Sequence, residues 1–196
     1  MKVTTMSKTN SDLTRQSRFL ALVLRHKPEE IGITLDREGW VRIDVLLAAL
    51  KSKGRPLSRK DLDRIVAEDQ KGRYVIDRAG QFHEGHRIRA CQGHSVAVDL
   101  SLEPVEPPEL LFHGTVGKYL KAISRDGLVK GQRHHVHLSG TPDTAKAVGG
   151  RRGEAVILVV EAHRMHRDGH IFYRSTNGVW LTDSVPPQYL IYPQPE

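Results

Sequence analysis

A Pro- and Glu-rich segment near the middle of the chain most constrains how the chain can fold. Residues 102–109 contain three prolines and three glutamates, a composition that disfavours the interiors of both helices and strands. We therefore predict a linker here, with one lobe over residues 13–101 and a second over residues 110–196. The polar residues 1–12 are predicted to be disordered.

Helices dominate the pattern of the first lobe. Apolar residues recur at helical spacing from Leu13 onward, and Pro28 is expected to end that helix. Asp44 is predicted to be the N-cap of a second helix. A third helix should follow Ser58, with Asp61 in the acidic position of a capping box. The apolar residues that these two helices are expected to bury are Val45, Leu46, Leu47, Leu50, Leu62, Ile65 and Val66.

Short strands are predicted around these helices. The expected strands are residues 31–35, 40–43, 74–77 and 86–90, with a turn over 36–39 and another turn containing Gly80. Helices followed by a β-ribbon are typical of a winged-helix module, a fold that often binds nucleic acid.

The second lobe is predicted to be rich in strands, which makes the whole chain an α+β protein. Its expected strands are residues 109–112, 135–138, 155–160, 171–174 and 179–182, the last two forming a hairpin around Asn177-Gly178. Its expected helices are residues 116–125, closed by Gly127, and 141–148, with Pro142 in the first turn. Glycines at 149, 150 and 153 come after a helix and before a strand, which is the reverse of the order in a Rossmann phosphate loop.

Charge and composition narrow the class of protein. The formal net charge of +7 favours a polyanionic partner such as RNA, although general solubility is the alternative. Cys91 is the only cysteine, which excludes an intramolecular disulfide and a thiolate zinc site. Because no signal peptide and no long apolar run is visible, we expect no membrane association and a cytoplasmic location.

Two runs pair arginine with histidine, one at residues 25–28 and one at residues 132–139. Arginine presents a planar fork of donors that grips phosphate, so the runs suggest one phosphate-handling cleft built from both halves of the chain. The alternative for Arg25-His26 is a basic pair that complements a helix dipole. His135 and His137 would share a strand face, where zinc binding ranks below a structural or substrate-binding role.

Other candidates are weaker when taken singly. Arg73 precedes a predicted strand, where an exposed arginine is usually only solvated. His113-Gly114-Thr115 follows a predicted strand, and glycine there would permit close approach to a ligand. The alternative is a plain strand-to-helix turn with Thr115 as the N-cap.

Taken together, these motifs resemble one enzyme family, the RNA 2′-phosphotransferases (Tpt1/KptA). The likeness covers nearly the whole chain in order. It is carried by residues 17–28, 35–41, 71–74, 88–95, 111–115, 132–139 and 172–182.

The resemblance implies an activity with two steps. The family removes an internal 2′-phosphate from RNA, as at a tRNA splice junction, and transfers it to NAD⁺ as co-substrate. The RNA 2′-phosphate first displaces nicotinamide to give ADP-ribosylated RNA. The 2″-hydroxyl then attacks phosphorus, which releases RNA with a free 2′-hydroxyl and ADP-ribose 1″,2″-cyclic phosphate.

The resemblance also implies the roles of individual residues and a fold for the second lobe. The catalytic group maps to Arg25, His26, Arg73 and Arg133. The second lobe would have the ADP-ribosyltransferase NAD fold, without a metal. The residues assigned to NAD are His113, Gly114, Thr115, His137, Ser139, Arg174 and Asn177. A monomer acting on tRNA-like RNA is expected.

Two other functions stay open from the sequence. One is an ADP-ribosyltransferase that modifies phosphorylated nucleic-acid ends and stops after the first step. The other is a non-catalytic winged-helix protein that only binds RNA, which has no need for the motifs assigned to NAD.

Overall fold

The computed structural model describes residues 10–77, 85–150 and 153–193. The chain divides into two compact units between Ser101 and Leu102. Both units mix helices with small antiparallel sheets, which confirms the predicted mixture of α and β structure. Among the described residues, no helix is both long and apolar enough to span a bilayer.

The described residues of unit 1 form three helices and one three-stranded antiparallel sheet. Its elements are α1 (Asn10–Arg25), β1 (Val41–Arg42), α2 (Ile43–Ser52), α3 (Arg59–Ala67), β2 (Tyr74–Asp77) and β3 (Arg87–Ala90), with a 3₁₀ turn at Pro28–Ile31. The strand order is β1-β3-β2, in which Ile88 of β3 lies between Val41 and Ile76. Fully buried leucines from all three helices close one apolar core over this sheet, which holds the ends of α1 and β2 in place.

Two predictions for the start of unit 1 are wrong. Helix α1 begins at Asn10, so residues 10–12 are helical, whereas residues 1–9 lie outside the described part. Residues 31–35 form no strand. Ile31 and Ile33 are buried and Thr34 is exposed, as alternation requires, but Gly32 is left-handed with φ of 71°. None of the described strands pairs with this segment. The alternating apolar residues are therefore buried without being part of a sheet.

The start of α2 also differs from the prediction. Arg42 occupies the N-cap position, and Asp44 lies in the first turn, where Arg42 donates two hydrogen bonds to its carboxylate. That arginine holds the pKa of Asp44 below its ordinary value. Val45 is 45% exposed because it lies on the outer face of the helix, whereas Leu46 and Leu50 are buried as predicted.

The predictions for α3 and for the ribbon formed by β2 and β3 are confirmed. Ser58 caps α3 by accepting a hydrogen bond from the Asp61 amide, and its hydroxyl donates to the Asp61 carboxylate. Strands β2 and β3 match the predicted ribbon within one residue. The turn predicted around Gly80 falls on residues 78–84, which lie outside the described part.

The described residues of unit 2 form short strands and three α-helices. Its strands are β4 (Leu111–Val116), β5 (Leu128–Val129), β6 (Val136–Leu138), β7 (Ala155–Val160), β8 (Phe172–Arg174), β9 (Trp180–Thr182), β10 (Ser184–Val185) and β11 (Leu190–Ile191). Its helices are α4 (Leu120–Asp126), α5 (Pro142–Gly149) and α6 (Ala162–Arg167). The strands form two three-stranded sheets, β11-β7-β4 and β6-β9-β8, and the pair β10-β5, all antiparallel.

The first sheet begins with the longest strand pair of unit 2. Strand β4 runs on to Val116, so the prediction of a loop or turn at His113-Gly114-Thr115 is wrong. Each of these residues pairs with β7, whose six apolar residues provide a long partner edge. The helix predicted from residue 116 starts as a 3₁₀ turn at Gly117–Tyr119 before α4, and Gly127 closes it as predicted.

The predicted hairpin and the predicted helix at residue 141 are both confirmed. Strands β8 and β9 pair around the turn that contains Asn177-Gly178. Thr141 caps α5, and Pro142 stands at its first position, where no amide hydrogen is needed.

Residues 102–109 lie along unit 2. Pro104 bridges to Tyr173, and the Val105 amide donates to the Phe172 carbonyl at 2.8 Å. The His163 amide donates to the Glu109 carbonyl at 3.2 Å. These bonds satisfy backbone groups that an isolated Pro-rich segment would leave to water.

Candidate functional site

Arg25 and His26 lie at the C-terminal end of α1, where the loop after β3 holds them. The Arg25 carbonyl accepts hydrogen bonds from the amides of Ser95 at 2.9 Å and Val96 at 3.4 Å. A carbonyl in the last turn of a helix has no partner within the helix, so this loop satisfies it. The backbone that carries both side chains is therefore fixed from a distant part of the sequence.

The His26 ring is oriented by the same loop. Its Nδ1 atom lies 2.9 Å from the Ser95 hydroxyl oxygen. Because a hydroxyl can donate or accept, this bond accommodates either protonation state of the ring. Because Nδ1 is bonded to Ser95, Nε2 is the ring nitrogen that could exchange a proton with a substrate oxygen.

Arg73 stands just before β2 and is paired with Asp69. The guanidinium donates from Nη1 to the Asp69 carboxylate at 2.6 Å, and the Arg73 amide donates to the same carboxylate. The Asp69 side chain is only 4% exposed, whereas that of Arg73 is 31% exposed. The pair holds the guanidinium from one side and leaves its remaining edge to face solvent, where an oxyanion could bind.

Arg25 and Arg73 surround a common buried patch. Both lie close enough to Tyr74 to oppose the rise in its pKa that burial causes. Burial also raises the pKa of Cys91, and Arg25 opposes that rise as well. The Arg73 carbonyl accepts from the Cys91 amide at 2.9 Å. Unit 1 therefore gathers two of the predicted arginines and His26 around the junction of α1, β2 and the loop after β3.

In unit 2, His113 is a neutral donor inside the first sheet. Its Nδ1 atom lies 3.1 Å from the His137 carbonyl oxygen, which can only accept, so the ring proton is on Nδ1. Burial lowers the pKa of His113 and thereby favours this uncharged form. The bond links β4 to β6 beside the bridge between Phe112 and Ser139.

Arg133 and His137 are neighbours at the start of β6. The exposed Arg133 guanidinium donates from Nη1 to the His137 ring at 3.4 Å, so His137 accepts through Nδ1. His135 instead packs edge-on against Tyr173, with ring centroids 5.5 Å apart. Within residues 10–77, 85–150 and 153–193, no group of three His, Cys, Asp or Glu side chains could hold a metal ion.

The β8–β9 turn holds Arg174 and Asn177. The buried Ser175 hydroxyl donates to the Asn177 side-chain oxygen at 2.8 Å and accepts from the Val179 amide at 3.0 Å. Arg174 lies over the Trp180 ring with its guanidinium carbon 5.5 Å from the centroid. The turn therefore holds the Asn177 side chain through Ser175 and the Arg174 guanidinium against Trp180.

Comparison of the sequence with known proteins assigns the chain to a family. The profile described as RNA 2′-phosphotransferase, Tpt1/KptA family, matches residues 11–184. The chain belongs to this family. A protein of Streptomyces coelicolor named probable RNA 2′-phosphotransferase is 51% identical over 179 residues, which are 91% of this chain and 94% of that protein. A protein of the same name from Rhodopirellula baltica is 50% identical over 187 residues, which are 95% of this chain and 99% of that protein.

Membership in the RNA 2′-phosphotransferase family confirms the resemblance and the prediction of a transferase enzyme. The structure places Arg25, His26 and Arg73 in unit 1, and it places Arg133 with all the residues assigned to NAD in unit 2. Their roles stay predictions. Sequence reasoning missed Asp69, and it left Ser95 and Ser175 inside quoted motifs without a role. For Ser95 and Ser175 the available signal was a short polar side chain directly after His94 or Arg174, and for Asp69 it was a carboxylate four residues before Arg73.

Proposed function

We propose that this chain removes an internal 2′-phosphate from tRNA-like RNA in an NAD⁺-dependent reaction. The observation that carries the proposal is the fixed group at the end of α1, where Ser95 orients His26 and Asp69 orients Arg73. Permanent cations and a titratable ring held in this way suit a reacting phosphate.

The two units would divide the work. Three helices with a small antiparallel sheet support a winged-helix, RNA-binding assignment for unit 1. Two three-stranded sheets and, among the described residues, no glycine-rich loop before a helix support an ADP-ribosyltransferase-like assignment for unit 2. A cytoplasmic, monomeric enzyme remains our expectation, since neither chemical step of the proposed reaction requires a partner chain.

Unit 2 carries polar groups that fit NAD⁺ as co-substrate. A neutral, half-buried His113 and an Asn177 amide held by Ser175 are preorganised donors and acceptors of the kind that orient a ribose or an amide. In the first step, an oxygen of the RNA 2′-phosphate bonds to the ribose carbon that carries nicotinamide, and the bond to nicotinamide breaks. These side chains would hold the two reacting groups in line.

The second step needs charge stabilisation at phosphorus. The adjacent ribose 2″-hydroxyl attacks the phosphorus and releases its proton to solvent, while the bond to the RNA 2′-oxygen breaks. Arg25, Arg73 and Arg133 would stabilise the negative charge that accumulates on the phosphate oxygens. His26, oriented through Nδ1, would deliver a proton to the departing RNA oxygen.

A direct test is incubation with an oligoribonucleotide that bears one internal 2′-phosphate, with and without NAD⁺. We expect RNA with a free 2′-hydroxyl and ADP-ribose 1″,2″-cyclic phosphate only when NAD⁺ is present. Phosphate release without NAD⁺ would contradict the proposal. Accumulation of ADP-ribosylated RNA that never resolves would instead identify an ADP-ribosyltransferase.

Ser95→Ala should lower kcat by roughly 3- to 10-fold, the equivalent of one hydrogen bond worth about 1 kcal/mol. The reason is that His26 loses the partner of its Nδ1 atom. The measurement is the pH profile of kcat, which should change shape because the ring environment changes, while KM for NAD⁺ stays constant.

Ser52→Ala is the matched control, since that exposed hydroxyl donates only to the Ala49 carbonyl. Ser95→Thr keeps the hydroxyl and should recover most of the activity. An unchanged pH profile in Ser95→Ala would show that Ser95 has no positioning role.

Chelation should leave turnover unchanged. In the proposed scheme the cationic work belongs to arginines, whose charge does not depend on pH or on a metal. The check is the rate after EDTA treatment, followed by addition of zinc or magnesium. A loss of rate that one divalent ion restores would contradict the scheme.

A further inference from the structure

The positive charge of the chain is concentrated in unit 1. Residues 1–101 contain 19 Lys and Arg against 13 Asp and Glu, whereas residues 102–196 contain 11 against 10. The excess of unit 1 is largely due to one stretch, because residues 45–60 hold five basic residues and no acidic one. These basic residues lie at the α2–α3 connection, outside the group proposed for catalysis.

Four side chains of this stretch are exposed and form no ion pair with a described residue, namely Lys60 on α3 and the three at the end of α2. Lys51, Lys53 and Arg55 are all exposed, and none forms an ion pair with the described carboxylates of unit 1. Other arginines nearby are neutralised, since Arg59 pairs with Asp63 and Arg64 pairs with Glu68. Lys51, Lys53 and Arg55 lie within five residues of one another at the end of α2, so their charges together are left for an external anion.

The backbone that carries these cations is rigid. Gly54 adopts a left-handed conformation with φ of 70°, which closes α2. The amides of residues 53, 54 and 55 donate to the carbonyls of Ala49, Lys51 and Leu50 at 3.3, 3.1 and 2.9 Å. A turn fixed in this way presents its side chains at defined spacing, so less entropy is lost when an extended anion binds.

Arg55 ties the turn to the helix that ends in the proposed catalytic pair. Its guanidinium carbon lies 4.2 Å from the centroid of the Phe19 ring on α1. Phe19 precedes Arg25 by six residues, a separation of about 9 Å along the helix. With a rise of about 3.4 Å per nucleotide, that distance corresponds to roughly two or three nucleotides.

From these observations we infer that Lys51, Lys53 and Arg55 form a docking surface for the RNA phosphate backbone a few nucleotides from the reacting 2′-phosphate. The inference rests on the proposed function. The surface would add affinity without base specificity, since lysine and arginine contact phosphates regardless of sequence. It predicts that a longer RNA substrate is bound more tightly than the shortest one.

The test compares Lys51→Ala/Lys53→Ala/Arg55→Ala with the unchanged protein on two RNAs. One is a 2′-phosphorylated dinucleotide. The other is a 2′-phosphorylated strand of roughly 15 nucleotides, which extends well beyond the two or three nucleotides that separate the reacting phosphate from the basic surface. For the long RNA we expect KM to rise by roughly 10- to 100-fold at 0.1 M salt, and the slope of log KM against log salt to fall by about 2. For the dinucleotide we expect kcat and KM to stay the same.

The matched control is Lys118→Ala/Lys121→Ala/Arg167→Ala, which removes the same charge from exposed positions of unit 2. An equal rise in KM for the control would overturn the inference, because net charge alone would then explain the effect. The inference would also be overturned if the triple variant had the same KM as the unchanged protein for the long RNA as well as for the dinucleotide. That result would leave the proposed function intact. Failure of the unchanged protein to act on either RNA would overturn the proposed function and this inference with it.

Discussion

Replacing Arg133 with alanine should slow the second chemical step by roughly 100- to 1,000-fold, the usual cost of removing one preorganised donor from a developing oxyanion. Arg133 is exposed in the turn before β6 and donates to the His137 ring, so its loss removes a cation without opening the core. Negative charge accumulates on the transferred phosphate mainly in the second step. ADP-ribosylated RNA should therefore build up in the variant, which a single-turnover assay followed by gel electrophoresis can measure.

Two variants make this result interpretable. Arg125→Ala is the matched control, since Arg125 is an exposed arginine of the same unit that pairs only with the adjacent Asp126. Arg133→Lys keeps the charge but lacks the planar fork, so it should recover little activity. Equal slowing of both steps in Arg133→Ala, with no intermediate, would contradict the role assigned to Arg133.

Replacing Gly114 with alanine should destabilise unit 2 by about 3 kcal/mol or more, at the upper end for overpacking. A Cβ atom at this position would lie 1.9 Å from the Ala145 carbonyl oxygen and 3.0 Å from the Gly149 amide nitrogen. Both are backbone atoms of α5, so the helix as a whole would have to move. We expect the thermal midpoint of unit 2 to fall by more than about 10 °C, as calorimetry can measure.

Gly117→Ala provides the control for Gly114→Ala. Gly117 lies three residues further along the chain, and no heavy atom lies within 4 Å of the position that a Cβ would take there, so the midpoint should stay unchanged. Gly149→Ala should also destabilise, since its Cβ would lie 2.8 Å from the Gly114 carbonyl carbon. A Gly114→Ala protein that melts like the unchanged one would show that β4 and α5 do not cross at this distance.

The Gly114 contact also revises the reason for a glycine at this position. The sequence suggested that glycine allows a ligand to approach the backbone. The structure shows that the backbone of α5 packs directly against one side of Gly114. The closest approach on α5 includes Gly149, where a Cβ atom would in turn clash with Gly114. Contact of Gly114 with NAD⁺ stays a prediction, but the close helix-to-strand packing is enough to require a residue without a side chain.

Local signals in the sequence were sufficient for many elements. The Ser58 capping box, the Thr141-Pro142 helix start and the Asn177-Gly178 hairpin each depend on residues within a few positions of one another. Because both interacting residues lie close together in the chain, the sequence alone is sufficient to predict these interactions. The family could also be recognised, because its motifs recur in order along the whole chain.

The sequence by itself therefore determined the starts of α3 and α5, the hairpin, the mixed α and β composition and the family. Only the tertiary structure decided that residues 31–35 remain unpaired, that His113 lies within a strand, and that Ser95 and Asp69 orient His26 and Arg73. Strand pairing depends on which distant segment lies alongside, and Ser95 is 69 residues from His26. Apolar periodicity records that a side chain is buried, but it does not record which partner buries it.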